Sequence, residues 1–360
     1  MNIRFISFDK VPTEIWSQFV DECDECWVYH KAELIRFNLR DSRSFAIYER
    51  DQIIGVCVLY VNKIMLGKVL GPRMGPAGLA LKKNISKKIY PLILDHLKNL
   101  ARINNCLAIQ MELCRLAELN SDKDYLSSYL GDLGFSLGQR YFGTDYLPSF
   151  TIIFDLSKTL EEISNDFSRL VKRKCARFIK REYQYECFEK EIPIQSWEEF
   201  ITNHKATFKL TGATPFPEKT LAFLRGLVEN RLGLLINVYV EGSCCASLYL
   251  MIYKRRALFF ASGVKSEFYD SGCPTFIHQL AITELKTRGV SFFEIGYFFP
   301  SKALEGTKLY SIGQFKRMFG GEQKLALSGE LILNEWLYFF LVILPGYIRK
   351  TALYFWKKLG

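Results

Sequence analysis

The sequence predicts an α/β protein built from one strand-and-helix unit used twice. Three observations carry this. Paired β-rich runs around a polar turn occur in both halves, at Ser44–Lys63 and Leu234–Tyr253. Each pair is followed by a helical stretch and a short apolar strand, CLAIQME (Cys106–Glu112) and VSFFEIG (Val290–Gly296). Each half then closes on a second helical stretch that ends at glycine, near Gly134 and at Gly320-Gly321. Two copies of one unit with antiparallel hairpins and a strand–helix–strand crossover fit this order.

In chain order, the first pair of strands turns at Arg50-Asp51, and a helix follows over about Ile85–Ile103. The halves join near Ser149–Thr159, a strand running into a helix start. Thr159 and Glu162 form a capping box, in which hydroxyl and carboxylate each take an orphan N–H. The following stretch, EEISNDFSRLVKRKCARFIKREY, reads as one helix, with Ile163, Phe167, Leu170, Val171, Cys175, Phe178 and Ile179 at helical spacing. Trp197–Asn230 reads as a helix, a loop at TGATPFP and another helix. The second pair of strands turns at Glu241-Gly242, RALFFASGV adds a strand, and a helix opens on Pro274, where a missing N–H costs nothing.

The chain has 360 residues, 49% of them hydrophobic and 24% charged, enough for a large core and too charged for a membrane bundle. The net charge of +10 suits phosphate-bearing partners or an anionic surface without choosing between them. Ten cysteines are scattered, and the CxxC at Cys23–Cys26 has no second pair at metal spacing, so reduced thiols in a cytosolic protein and no metal are expected. The N-terminal segment carries Asp9 and no long apolar run, so no signal peptide is expected. The apolar run Trp336–Leu344 is cut by Pro345-Gly346, short of the ~20 residues that span a bilayer.

Two features point to chemistry. Arg169, Arg173, Arg177 and Arg181 lie four apart, a stripe joined by Lys172, Lys174 and Lys180, with no acidic residue between Asp166 and Glu182. The stripe is either a solvated face or a phosphate-binding one. In SIGQFKRMFGGEQ, helical geometry puts Ile312, Phe315, Met318 and Phe319 on one face, with Lys316 at its edge and Arg317 turned to solvent. Lys316 must then run its methylenes along apolar side chains and bring its ammonium out at a rim, suited to charge that develops on a reacting oxygen. A snorkelling lysine without a partner is the plainer alternative. His30, His96, His204 and His278 are scattered and read as structural.

The pieces LGPRMGPAG (Leu70–Gly78), LGDLGF (Leu130–Phe135), PSFTIIFDLSKTLEEI with the basic helix behind it, and GQFKRMFGGE (Gly313–Glu322) occur in that order. Together they resemble the Fem family of peptidoglycan-bridge aminoacyltransferases and its relatives among tandem-GNAT acyltransferases. The resemblance covers about Trp16–Leu325. It implies two tandem GNAT-like domains with mixed central sheets, a cleft between them, and transfer of an acyl or aminoacyl group to a primary amine. Donors are aminoacyl-tRNA in the family and acyl-CoA in several relatives, with no bound cofactor. It implies catalytic roles for Phe315 and Lys316, phosphate contacts for Lys172, Arg173 and Arg177, and substrate contacts for Arg73, in the first of the four pieces. Tyr297 is a candidate for the cleft wall or the core. Glu112 is the nearest match to the acid at the end of the first-domain strand, where the usual proline is absent, and either takes the amine's proton or forms a salt bridge. There is no room for the coiled-coil arm of the bridge enzymes, and DSGCPTF replaces the usual pyrophosphate loop.

The expected domains are 1–148, 149–328 and an amphipathic tail, 329–360. The tail mixes Trp, Tyr and Phe with Lys and Arg, and either lies in a bilayer interface or packs as helices on the second domain. A cytoplasmic monomer is expected, with peripheral contact to the inner face of the cell membrane if the tail binds lipid. The acceptor would be a phosphate-bearing, nucleotide- or lipid-linked sugar, with tRNA as partner if it is the donor. Two other readings stay open: a CoA-dependent N-acyltransferase acting on an amino sugar of surface polysaccharide, and a non-enzymatic protein binding RNA or anionic lipid.

Overall fold

The computed structural model describes residues 2–73, 75–113, 116, 130–137, 139–140, 146–147, 149–212, 214–301 and 304–348. Most of the helix expected before Gly134 lies outside them, as does the end of the tail. The chain forms two compact units, Met1–Ser149 with Leu325–Gly360, and Phe150–Lys324.

In the first unit, β1 (Ile3–Ser7), β2 (Phe45–Glu49) and β3 (Gln52–Cys57) form an antiparallel meander. The β2–β3 turn places Arg50 at φ 55°, as its polar hinge predicts. β4 (Tyr60–Ile64) and β5 (Gly67–Gly71) make a second hairpin, and β6 (Leu79–Leu81) pairs with β3. β7 (Ala108–Leu113) runs parallel to β5. Parallel neighbours need a crossover, supplied here by the helix Tyr90–Ile103, which turns Ile93, Leu97 and Ala101 into the core. β8 (Ser136–Leu137) is a short strand, and β9 (Gln139–Arg140) pairs with β10 (Tyr146–Leu147).

The second unit is one seven-stranded mixed sheet. Its strands are β11 (Phe150–Asp155), β12 (Tyr183–Phe188), β13 (Gly233–Val240), β14 (Ser243–Tyr253), β15 (Arg256–Val264), β16 (Phe292–Phe298) and β17 (Glu322–Leu325), in the order β12-β13-β14-β15-β16-β11-β17. The helices Arg169–Ile179 and Cys273–Thr287 bury Val171, Cys175, Phe178, Phe276 and Ile277 in one core with the sheet. The helix Ile194–Thr211 packs on β14 and β15. It is joined to Glu218–Glu229 by a short loop, so the described residues form no coiled-coil arm.

Two expectations are corrected. The stretch after the capping box is two helices, Leu160–Asn165 and Arg169–Ile179. Ser168 breaks it: its Oγ caps the second helix by accepting the Val171 N–H, while its own N–H is drawn off to the Met318 carbonyl. Apolar periodicity runs through such a break because both helices bury the same side. The tail, too, belongs with the first unit. β18 (Leu327–Ile332) pairs with β7 from Leu327–Leu113 to Ile332–Ala108 and also with β8. Tyr338 and Val342 then pack on Val69, Leu107 and Ala108 of the first unit. A β-rich run does not state which sheet it will join, since that choice rests on contacts distant in sequence.

Candidate active site

The site begins where two parallel strands part. The β15–β16 ladder runs from Arg256–Phe292 to Leu258–Glu294, and both strands continue beyond it. β16 stays paired with β11 along its whole length, with a bulge at Ile295 between the pairs Ile153–Glu294 and Ile152–Gly296. The gap is a cavity of about 550 Å³. Phe259 and Val264 line it from β15, Ile295 from β16, Ile277 and His278 from the helix Cys273–Thr287, and Phe315 and Lys316 from the helix Lys308–Arg317. All its lining residues belong to the second unit.

Lys316 is half-buried, as its place at the edge of the apolar face requires, and Arg317 is exposed. The Lys316 ammonium donates to the Tyr297 carbonyl at 2.9 Å and stands 5.9 Å from the centroid of the Phe259 ring. Removal from water lowers its pKa from 10.5 to about 8, against the pull of the Glu294 carboxylate. Glu294 is buried and accepts a 2.6 Å hydrogen bond from Thr151 Oγ1. Gly296 has φ 92°, and a Cβ there would lie 2.9 Å from Lys316 Nζ, so the close approach of the ammonium needs glycine. Gly320 and Gly321, at φ 74° and 81°, turn the chain out of the helix as the sequence indicates.

Phe315 lies beside Lys316 in the wall, edge-on to Phe319 at 5.2 Å. Sequence reasoning missed His278. Its ring is buried 5.1 Å from Phe259 and 5.5 Å from Phe315, and its Nδ1 has no hydrogen-bond partner. Burial, then the charge of Lys316, hold its pKa near 3, so it stays neutral. It follows Ile277 and precedes Leu280 and Ala281, so its signal was an imidazole on a buried helical face.

The other candidates do not line this cavity. Tyr297 enters through its backbone carbonyl. Glu112 is half-buried in the first unit, on β7, opposite Ser328. Arg73 is committed to Asn62 at 2.9 Å, Asp41 at 2.6 Å and the Val61 carbonyl at 2.8 Å, which makes it a brace for its loop. On the basic helix, Lys172 donates to the Asn165 carbonyl at 3.1 Å and Arg177 to the Asp270 carbonyl. Arg169, Arg173 and Arg181 are exposed and without ion pairs among the described residues. The DSGCPTF segment turns inward: Ser271 Oγ accepts the Cys273 N–H at 3.1 Å, and Cys273, Thr275 and Phe276 are buried.

Residues 167–302 match the family model described as an acetyltransferase (GNAT) domain, so the second unit carries an acyltransferase domain. Solved structures extend the likeness to the whole chain. The crystal structure of FemX aligns with a TM-score of 0.70 at 14% identity, covering 95% of this chain and 100% of that one. L-PGS from Bacillus licheniformis aligns with a TM-score of 0.59 at 13% identity, covering 93% and 96%. A tandem GNAT protein from the clavulanic acid biosynthesis pathway aligns with a TM-score of 0.55 at 9% identity, covering 92% and 99%. No curated protein matches the chain in sequence. The fold is thus shared with FemX and with a tandem GNAT protein, and the chain carries a GNAT acetyltransferase domain in its second unit.

Proposed function

We propose that this protein transfers an acyl or aminoacyl group from an activated donor directly to a primary amine of a cell-envelope precursor, with the donor carbonyl seated beside Lys316. The observation that carries this is an ammonium held at the wall of an apolar cavity, where the parted strands leave room for a donor. The neutral amine attacks the carbonyl carbon, a C–N bond forms, and the electron pair moves to oxygen. The oxyanion collapses and expels the thiolate or ribose oxygen of the donor, while the amine's proton passes to a base or to water. Lys316 stabilises the oxyanion, and in a dry site that charge counts for far more than in water. His278, neutral and unpaired, can hydrogen-bond donor or acceptor but does not carry charge. The exposed arginines of the basic helix are candidates for substrate phosphates.

One observation favours the acyl-CoA reading, in which an amino sugar of surface polysaccharide is the acceptor. The charged cavity side chains are Lys308 and Lys316, both basic. Such a wall suits an uncharged acyl group better than the free ammonium of an aminoacyl group. A donor panel decides: charged tRNAs against acyl-CoAs of increasing chain length, each with amino-sugar and lysyl acceptors, comparing wild type with Lys316→Ala. Consumption of a donor by wild type and its loss in the variant support the proposal. If no donor is consumed with any amine, it fails.

A further inference from the structure

We propose that one face of the first unit docks on an anionic lipid surface, with the β4–β5 hairpin tip and the C-terminal helical segment entering the bilayer interface together. The hairpin turns at Met65 and Leu66, both exposed, Leu66 at 72%. The Leu66 N–H donates to the Leu341 carbonyl at 3.1 Å, which joins the tip to the segment that follows β18. That segment has an inner stripe, Tyr338, Val342 and Gly346, at four-residue spacing. Tyr338 and Val342 are packed on Val69, Leu107 and Ala108, and the Tyr338 hydroxyl donates to Glu330 at 2.6 Å. Its outer side exposes Trp336 at 77%, Phe339, Phe340, Leu344, Tyr347 and Ile348. The segment is therefore fixed to the unit by its inner stripe while its aromatic side faces outward.

Two elements far apart in sequence thus expose large apolar side chains side by side, more than a scatter of single residues explains. The partner is identified by charge. Lys63 and Lys68 face each other across the hairpin, both exposed, and flank the tip. Aromatic and aliphatic side chains beside lysine match the boundary between acyl chains and anionic headgroups. No helix of the described residues is long and apolar enough to cross a membrane, so the contact is with the surface.

The test is co-sedimentation of the full chain with vesicles of phosphatidylglycerol and phosphatidylcholine in equal parts, and with phosphatidylcholine alone. Wild type is expected to bind the mixed vesicles. Leu66→Ser with Trp336→Ser and Phe340→Ser is expected to weaken partitioning by about tenfold or more. Lys63→Gln with Lys68→Gln is expected to weaken it on the order of twentyfold on mixed vesicles, with no change on neutral ones. These side chains are exposed, and unchanged circular dichroism confirms the fold. Failure of wild type to sediment, or equal binding by the triple-serine variant, overturns the proposal. So does a dimer in solution that the triple-serine variant dissociates, because a second copy would then cover the face.

Discussion

A lysine kept charged in an apolar wall costs the fold stability, and that cost is measurable. The lowering of the Lys316 pKa from 10.5 to about 8 corresponds to about 3 kcal/mol against the charged form in the folded state. Because the folded pKa lies below the unfolded one, the unfolded chain holds the proton more tightly. The penalty is therefore full below about pH 8 and fades as pH rises toward 10.5. Lys316→Met keeps the volume and removes the charge. It also deprives the Tyr297 carbonyl of its 2.9 Å partner, a loss of about 1 kcal/mol. The variant is expected to be more stable than wild type by about 2 kcal/mol near pH 6.5, the gain shrinking to about zero near pH 9.5. Urea unfolding at the two pH values measures this, with the m-value as a check that the unfolded states are comparable. A variant less stable than wild type at both values, or a difference that does not change with pH, would refute the claim that the ammonium is held in a desolvated wall.

Three further outcomes follow from the same geometry. Gly296→Ala should lower stability by about 1–2 kcal/mol through its φ of 92° and displace the Lys316 ammonium, so urea unfolding and donor turnover should fall together. Ser168→Ala should lose about 1 kcal/mol in urea unfolding, because it removes the cap of the basic helix. The imidazole of His278 should show no protonation by NMR between about pH 5 and 8, since burial holds its pKa near 3.

The repeated plan was legible because hairpin turns and capping residues are local signals. Arg50 and Glu241-Gly242 turn where polar residues interrupt β runs, and Thr159 and Glu162 cap as their spacing says. The place of Lys316 at the edge of its helix's apolar face was legible from helical geometry, but the inward turn of its ammonium to the Tyr297 carbonyl was not. The cavity was not, because Phe259 and Ile295 read as core, and only the parting of β15 from β16 leaves a space beside them. His278 was hidden for the same reason. The placing of β18 depended on partners more than two hundred residues away, as the Leu327–Leu113 pair shows, and no local pattern carries such a choice. Arg73 shows the same limit: the motif names the arginine, but its partners Asp41 and Asn62 come from segments the motif does not include.

The most direct test of the Lys316 assignment is steady-state acyl transfer by Lys316→Ala with whichever donor wild type consumes. A group that meets charge arising only in the transition state should lower kcat by about 10²–10³-fold when removed and leave KM nearly unchanged. A kcat within a few-fold of wild type, with the loss confined to KM, would contradict the account and leave Lys316 as a binding residue only.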